Sequence, residues 1–216
     1  MGNVSERPQK YLAIIGDVVS SRELQERGFV QGQLRAGIDR VNEQFAPQIA
    51  SKFVLTIGDE FQGLLKEVQE LIRLLAVLRL AIHPIEQRIG IGVGTLDTSL
   101  QEVALGMDGP CFHRARNAIE RSKFKGTSIE VETGREDDPF RIYALLYTAL
   151  RQGWTSRQRQ VFDLSMAGDA GKDIARELGI SPSAVSQHLK AAEADRIHNA
   201  TDIWLEALTD VFSKLE

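Results

Sequence analysis

The chain reads as an α+β fold, an antiparallel sheet with helices, followed by a small all-α unit. Three observations predict this. Up to about residue 133, apolar runs of strand length alternate with stretches of helical period. Beyond Gly153 the apolar positions recur only at helical spacing. Between them lies Gly134-Arg-Glu-Asp-Asp-Pro139, polar and acidic, which reads as a domain edge. The expected division is residues 8–138 as the α+β domain, 139–152 as a linking helix and 153–216 as a helical domain.

Tyr11–Gly16 is the first strand. A helix follows over Phe29–Phe45, with Leu34, Ile38, Val41 and Phe45 at helical spacing and Pro47 marking its end. Phe53–Ile57 and Phe61–Leu65 form a hairpin about Gly58-Asp59. The helix Val68–Ile82 is apolar almost all round, so it requires cover on more than one side, and a subunit interface is one source of it. Gln87–Leu96 alternates apolar residues with glycine, a strand whose glycine face lets something approach the backbone closely. The loop Gly106–Pro110 leads into a helix over Cys111–Ser122, and Ser128–Glu132 is the last strand. The order β-α-β-β-α-β-α-β begins with the ferredoxin-like split βαβ pattern and adds a strand. Phe140–Gln152 is the linking helix.

In the helical unit, Thr155 or Ser156 caps a helix carrying Val161, Phe162 and Leu164, and Gly168–Gly171 breaks it. Asp173–Leu178 is the next helix, Gly179-Ile180 turns the chain, and Ser181-Pro182 starts a third with a hydroxyl cap and Pro at its first position. Ile174, Ala175, Leu178, Ile180, Val185 and Leu189 have the spacing of two short helices crossing steeply, the helix-turn-helix arrangement. A final helix over Thr201–Leu215 carries Ile203, Trp204, Leu205, Leu208, Val211 and Phe212, either core or a dimer interface, and a homodimer is expected.

With 216 residues there is room for one large domain or two. The formal charge of −4 gives no whole-chain sign of a nucleic-acid or membrane binder. Cys111 is the single cysteine, which excludes an intrachain disulfide and fits a reducing compartment. The first residues carry no apolar signal-peptide core, Glu6 breaks the myristoylation pattern, and Val68–Ile82 is too short to span a bilayer. A cytoplasmic protein with no membrane partner is expected.

The chemistry concentrates at two strand ends. Asp17 follows the first strand, and Asp59 and Glu60 sit in the hairpin after Gly58. If the strands are neighbours, Asp17 and Asp59 meet at one sheet end and suit Mg²⁺, which takes one or two carboxylates plus phosphate oxygens. The plain alternative is a hairpin turn and a capping aspartate. Arg114, Arg116, Arg121, Lys123 and Lys125 form a positive cluster after Gly109, either a solvated helix face or, with Ser20, Ser21 and Arg22, an anion site. The sequence holds no Cys/His metal set, P-loop or Ser-His-Asp arrangement.

Leu12-Ala-Ile-Ile-Gly-Asp17-Val-Val, Thr56-Ile-Gly58-Asp59-Glu60-Phe61 and Arg88-Ile-Gly-Ile-Gly-Val-Gly94, in that order, resemble the catalytic domain of class III nucleotide cyclases and its GGDEF and polymerase-palm relatives. The resemblance implies a ferredoxin-like, cyclase/palm sheet, metal-binding acids at Asp17 and Asp59 with Glu60 beside them, and Gly58 keeping the backbone clear of a nucleotide. It also implies a helix after Gly109 bearing an Asn and, four residues on, an Arg. Here His113 and Asn117 take those places and Arg116 is displaced by one residue; His113 and Arg116, at i and i+3, share a face able to clamp phosphate. Ile57 in place of the first GGDEF glycine argues against a di-guanylate product. Asp173 to Leu189 resembles the helix-turn-helix of sigma-factor region 4, which implies a DNA-reading face at Ser183, Ala184, Ser186, Gln187 and Lys190. Against it, residues from Gly153 onward hold seven Lys/Arg and ten Asp/Glu, a net of −3. The whole chain resembles the SatD family, through Asp17-Val-Val-Ser-Ser-Arg22, Gly58-Asp-Glu-Phe-Gln-Gly63 and Asp108-Gly-Pro-Cys-Phe-His-Arg-Ala-Arg116. The expected function is a regulator that binds Mg²⁺ and a nucleotide or phosphorylated ligand and, through the helix-turn-helix, DNA. The rivals are an active triphosphate cyclase or related phosphoryl-transfer enzyme, and a dimerisation scaffold without catalysis.

Overall fold

Tyr11–Val18 (β1), Ile49–Leu55 (β2), Phe61–Leu65 (β3), Gln87–Gly94 (β4) and Ile129–Glu132 (β5) form one sheet in the order β2-β3-β1-β4-β5. The structure is a computed structural model and describes residues 9–20 and 26–214. All pairings are antiparallel except β4 with β5. The first four strands thus have the split βαβ order, and β5 extends the edge beside β4. The helices are Arg27–Gln44 (α1), Leu71–Ala81 (α2), Pro110–Lys125 (α3), Asp138–Gln152 (α4), Ser156–Met166 (α5), Gly171–Leu178 (α6), Pro182–Ala191 (α7) and Ala194–Lys214 (α8). No described helix is long and apolar enough to cross a membrane.

Strand alternation sorts β1 onto two cores. Leu12, Ile14 and Val18 pack with α1 and α2, whereas Tyr11, Ala13 and Ile15 pack with Cys111, Ala115 and Ile119 of α3. The glycine face of β4 serves this second layer. A Cβ on Gly92 would lie 2.1 Å from the Cys111 carbonyl oxygen and 2.2 Å from the Ala115 nitrogen. What approaches the glycine strand is therefore the backbone of α3.

The second cover of α2 also comes from its own chain. It packs between α1 and α5, and Arg73 Nε donates to the Ala167 carbonyl at 2.8 Å. No subunit interface is needed there. One apolar cluster runs from Leu12 and Leu34 through Leu74 to Phe162 and Trp204, continuous between the sheet layer and the last helices.

A buried ion network spans the same junction. Arg151 of α4 holds Asp163 of α5 in a two-pronged contact at 2.6 and 2.9 Å and Glu86, just before β4, at 3.0 Å.

Several boundaries differ from expectation. β1 runs past Gly16 to Val18, because pairing with β4 continues through Asp17–Arg88 and Val18–Gln87, so Asp17 lies within the strand. β2 begins at Ile49, not Phe53, because the strand contains register shifts between Ile49 and Val54. At the shift the Asn42 side chain bonds both the N–H and the carbonyl of Phe53, at 2.8 and 2.9 Å. α8 begins at Ala194, seven residues earlier than the apolar period suggests, since polar residues surround Ile197 in its first turns.

Candidate functional site at the end of the central strands

Hydrogen-bonded register brings the three acids to one sheet end. Gly16 pairs with Phe61 on one side of β1 and Asp17 with Arg88 on the other, so Asp17 lies beside the start of β3. The hairpin closes through Glu60 N–H to the Ile57 carbonyl at 3.3 Å and Thr56 N–H to the Glu60 carbonyl at 2.8 Å. Gly58 has φ +71°, the left-handed conformation that a two-residue hairpin turn demands and that glycine adopts without a steric penalty. Gln31 of α1 anchors the turn, its Nε2 donating to the Gly58 carbonyl at 2.8 Å.

Asp17 shares strand parity with Ile15 and faces α3. Its side chain is 14% exposed. Lys123 Nζ lies 3.3 Å from Oδ2, and Arg88 Nη1 lies 4.0 Å from Oδ1. Oδ1 is buried and has no hydrogen-bond partner among the described residues. Burial raises the Asp17 carboxyl above the ordinary aspartate range, Lys123 and Arg88 oppose the shift, and the charge of Asp59 adds to it. The two carboxylates are thus within electrostatic reach of each other.

Glu60 behaves oppositely. Arg116 of α3 clamps it through Nη1 to Oε2 at 2.6 Å and Nη2 to Oε1 at 2.7 Å. That charge-assisted pair holds the Glu60 carboxyl below its usual range despite partial burial. Arg116 and Lys123, seven residues apart, lie two turns along the same face of α3, one over each acid.

The other expected ligand residues are differently engaged. His113 Nε2 lies 2.9 Å from Asp108 at the exposed start of α3. Asn117 donates to Glu132 at 3.0 Å. Arg121 bonds Glu130 at 3.0 Å and Glu132 at 2.8 Å on β5, so the positive cluster is largely matched by neighbouring acids. Gly109, at φ +149°, begins α3; a Cβ there would lie 2.7 Å from the Asp97 nitrogen. Ser20 follows β1, exposed and at φ +54°. Ser21 and Arg22 lie outside the described residues. Among the described residues, no group of three or more His, Cys, Asp or Glu side chains is arranged to hold a metal.

Lys123 and Arg88 are the cations on Asp17, and neither pairing is evident in the local sequence around it. The signal for Arg88 is antiparallel pairing of the first and fourth strands; for Lys123 it is the seven-residue spacing from Arg116.

At the other end of the chain, Ile174 and Ala175 of α6 and Val185 of α7 pack with Val161 and Leu164 of α5. Gly179, left-handed at φ +63°, stops α6, and the Ser181 hydroxyl caps α7 by accepting from the Ala184 N–H at 3.1 Å. Ser183, Ser186, Gln187 and Lys190 are exposed, and Ala184 is half-buried.

The profile of the SatD family matches residues 11–199. The chain belongs to the SatD family. Among curated proteins none matches it. Solved structures similar to this SatD chain include a bacterial light-regulated adenylyl cyclase, at 12% identity and TM-score 0.45, covering 58% of this chain and 77% of that one. A second structure described in the same words has 14% identity and TM-score 0.43, covering 61% and 46%. The catalytic core of a rhodopsin-guanylyl cyclase with converted specificity, in complex with ATPαS, has 14% identity and TM-score 0.41, covering 55% and 76%. All three scores lie below 0.5, and nothing about function follows from them.

Proposed function

We propose that this SatD-family chain binds a nucleotide or another phosphorylated small molecule with Mg²⁺ at the Asp17–Asp59 sheet end. Residues 8–138 act as the ligand-binding unit and 153–216 as a helix-turn-helix unit that binds DNA. The observation that carries the reading is the charge arrangement at Asp17. The buried Asp17 carboxylate has one oxygen without a hydrogen-bond partner, carries Lys123 on the other at 3.3 Å, and feels the charge of Asp59.

Oxygen-only donors fit a hard cation, and two carboxylates leave the remaining positions to phosphate oxygens and water. In this reading Asp17 and Asp59 hold Mg²⁺, which when bound neutralises phosphate charge. Lys123, now on Asp17, and Arg116 meet the rest of the anion. Glu60 positions Arg116 rather than binding metal. On the DNA side, the exposed Ser183, Ser186, Gln187 and Lys190 of α7 meet base edges and phosphates, with Ala184 beside them.

Binding is favoured over turnover by the state of α3. His113 and Asn117, in the places from which cyclases stabilise their transition state, are engaged by Asp108 and Glu132.

Calorimetric titration with ATP, GTP and inorganic phosphate, each with and without MgCl₂, tests the ligand site. Mg²⁺-dependent binding that Asp17→Asn and Asp59→Asn each weaken at least tenfold is expected. Binding indifferent to both substitutions would sink the assignment. Selection from random duplex DNA, with and without the nucleotide, tests the second half; failure to enrich any sequence would remove the DNA reading.

A further inference from the structure

Among the described helices, α4 carries an outward face that contradicts its position. Its inner side, Phe140, Ala144 and Tyr147, packs in the core. Its outer side is Ile142, Leu145, Leu146, Ala149 and Leu150, where a solvated helix carries charge. Ile142 is 59% exposed, Leu145 49%, Leu146 61% and Leu150 46%, and on α8 Ile203 is 68% exposed. α8 runs antiparallel beside α4, with Phe140 edge-on to Trp204 at 6.0 Å and Tyr143 bonded to Thr201 at 2.7 Å. Between the two helices lies a groove of about 460 Å³, walled by Ile142, Leu146 and Leu150 on one side and by Ala200, Ile203 and Ala207 on the other.

We infer that this α4–α8 face is where a second copy of the chain docks, about a two-fold axis near Leu146. This docking is independent of any ligand or DNA.

Three features select a second copy. A two-fold interface must be self-complementary, so one surface has to carry both the projecting and the receiving element. This face carries the Ile142–Leu146–Leu150 ridge and, beside it, a groove floored by small Ala200 and Ala207. The charge also suits a like partner: at the rim, Glu193 pairs with Arg196 at 2.8 Å and Asp138 with Arg141 at 3.3 Å, so two copies meet with no net charge on a chain that is otherwise at −4. Finally, the size fits. A 15-residue α4 is about 22 Å long and two helices are about 20 Å wide, a planar footprint of roughly 440 Å². α8 extends the face by six more residues, about 9 Å, and accessible area exceeds planar area on a ridged surface, which brings the face towards the ~800 Å² per partner of a stable interface.

Sedimentation-equilibrium measurement on the full chain between 1 and 100 µM decides the matter. A dimer is expected, and Leu146→Arg and Ile142→Glu should each raise its dissociation constant at least a hundredfold. Both positions are exposed, so circular dichroism and Tm should stay near wild type. Phe124→Ser, exposed on α3 away from this face, should leave the dimer intact. Leu146→Cys should form an intermolecular disulfide on oxidation; the native Cys111 is buried and its thiol is pushed up to about 12, so it does not compete. A monomer throughout the range, a dimer indifferent to Leu146→Arg, or a monomer that pellets with phosphatidylcholine–phosphatidylserine vesicles through this face would overturn the inference.

Discussion

Replacing Arg151 tests how firmly the helical unit is joined to the sheet. Its guanidinium is buried and bonds Asp163 at 2.6 and 2.9 Å and Glu86 at 3.0 Å. Without it, Asp163, itself buried, keeps only Arg79 at 4.0 Å. An uncompensated buried charge costs about 3–5 kcal/mol. For a chain of this size each kcal/mol moves Tm by about 2–4 °C, so Arg151→Met should lower Tm by roughly 6–20 °C. The double variant Arg151→Met/Asp163→Leu removes both charges and should fall short of the summed losses by at least about 2 kcal/mol. Glu86 keeps Arg159 at 3.2 Å in either case. Urea unfolding and calorimetry supply the cycle. Losses that add to within about 0.5 kcal/mol would refute the account, since contacting charges must couple. So would two separate transitions in the wild type, because the pair and the shared apolar cluster tie α4 and α5 to the sheet.

The two acids of the candidate site should titrate with opposite signs. Arg116 lowers the folded-state affinity of Glu60 for protons, so its contribution is present at neutral pH and lost as pH falls through the folded value; Glu60→Gln should cost about 1–2 kcal/mol at pH 7 and progressively less as the wild-type carboxylate is protonated in acid. Asp17 is raised by burial, so its contribution is present in acid and lost as pH rises through the folded value; in melts over pH 3–8, Asp17→Asn should gain on wild type towards neutrality. Gly92→Ala forces a Cβ onto the α3 backbone and should cost about 3 kcal/mol or more. Gly32→Ala, in open space within α1, should stabilise by about 0.5–1 kcal/mol in the same urea assay.

The sheet was legible because each of its strands keeps its own signature. Ile-Gly-Ile-Gly-Val-Gly alternates at period 2, and Gly58-Asp59 marks the turn. The first four residues of β2 are not legible in sequence, because that irregular half is held partly by Asn42 of α1, a contact that no local pattern carries. α2 and α4 show the same limit. Both are apolar on more than one side, and sequence alone could not say that α5 covers the first while the outer face of α4 stays open. At the site, the acids stood out in the sequence by their place beside apolar strand runs and a Gly-Asp turn. Their cations did not, because Arg116 and Lys123 become partners of Glu60 and Asp17 only once α3 lies across the sheet. Glu60 illustrates the cost of reading neighbours together: next to Asp59 in sequence, it belongs to Arg116 in space.

The register that creates the site also defines the route by which it would address the helical unit. Asp17 pairs with Arg88 across β1 and β4, and one step beyond the strand pairing Val19 N–H bonds the Glu86 carbonyl at 2.9 Å. Glu86 in turn holds Arg151 of α4 and Arg159 of α5. Two residues of β4 therefore separate the acid proposed to bind Mg²⁺ from the ion network that fixes the helices. Contiguity is not coupling, which requires an element with two arrangements biased by both sites. Lys123 is the side chain that a ligand at Asp17 would meet first. Its ammonium neutralises Asp17 at 3.3 Å and Glu120 at 3.0 Å, and a bound cation on Asp17 would displace it. Arg88, 4.0 Å from the same carboxylate, stands two residues from Glu86, so the contacts of Asp17 and the ion network meet at the start of β4.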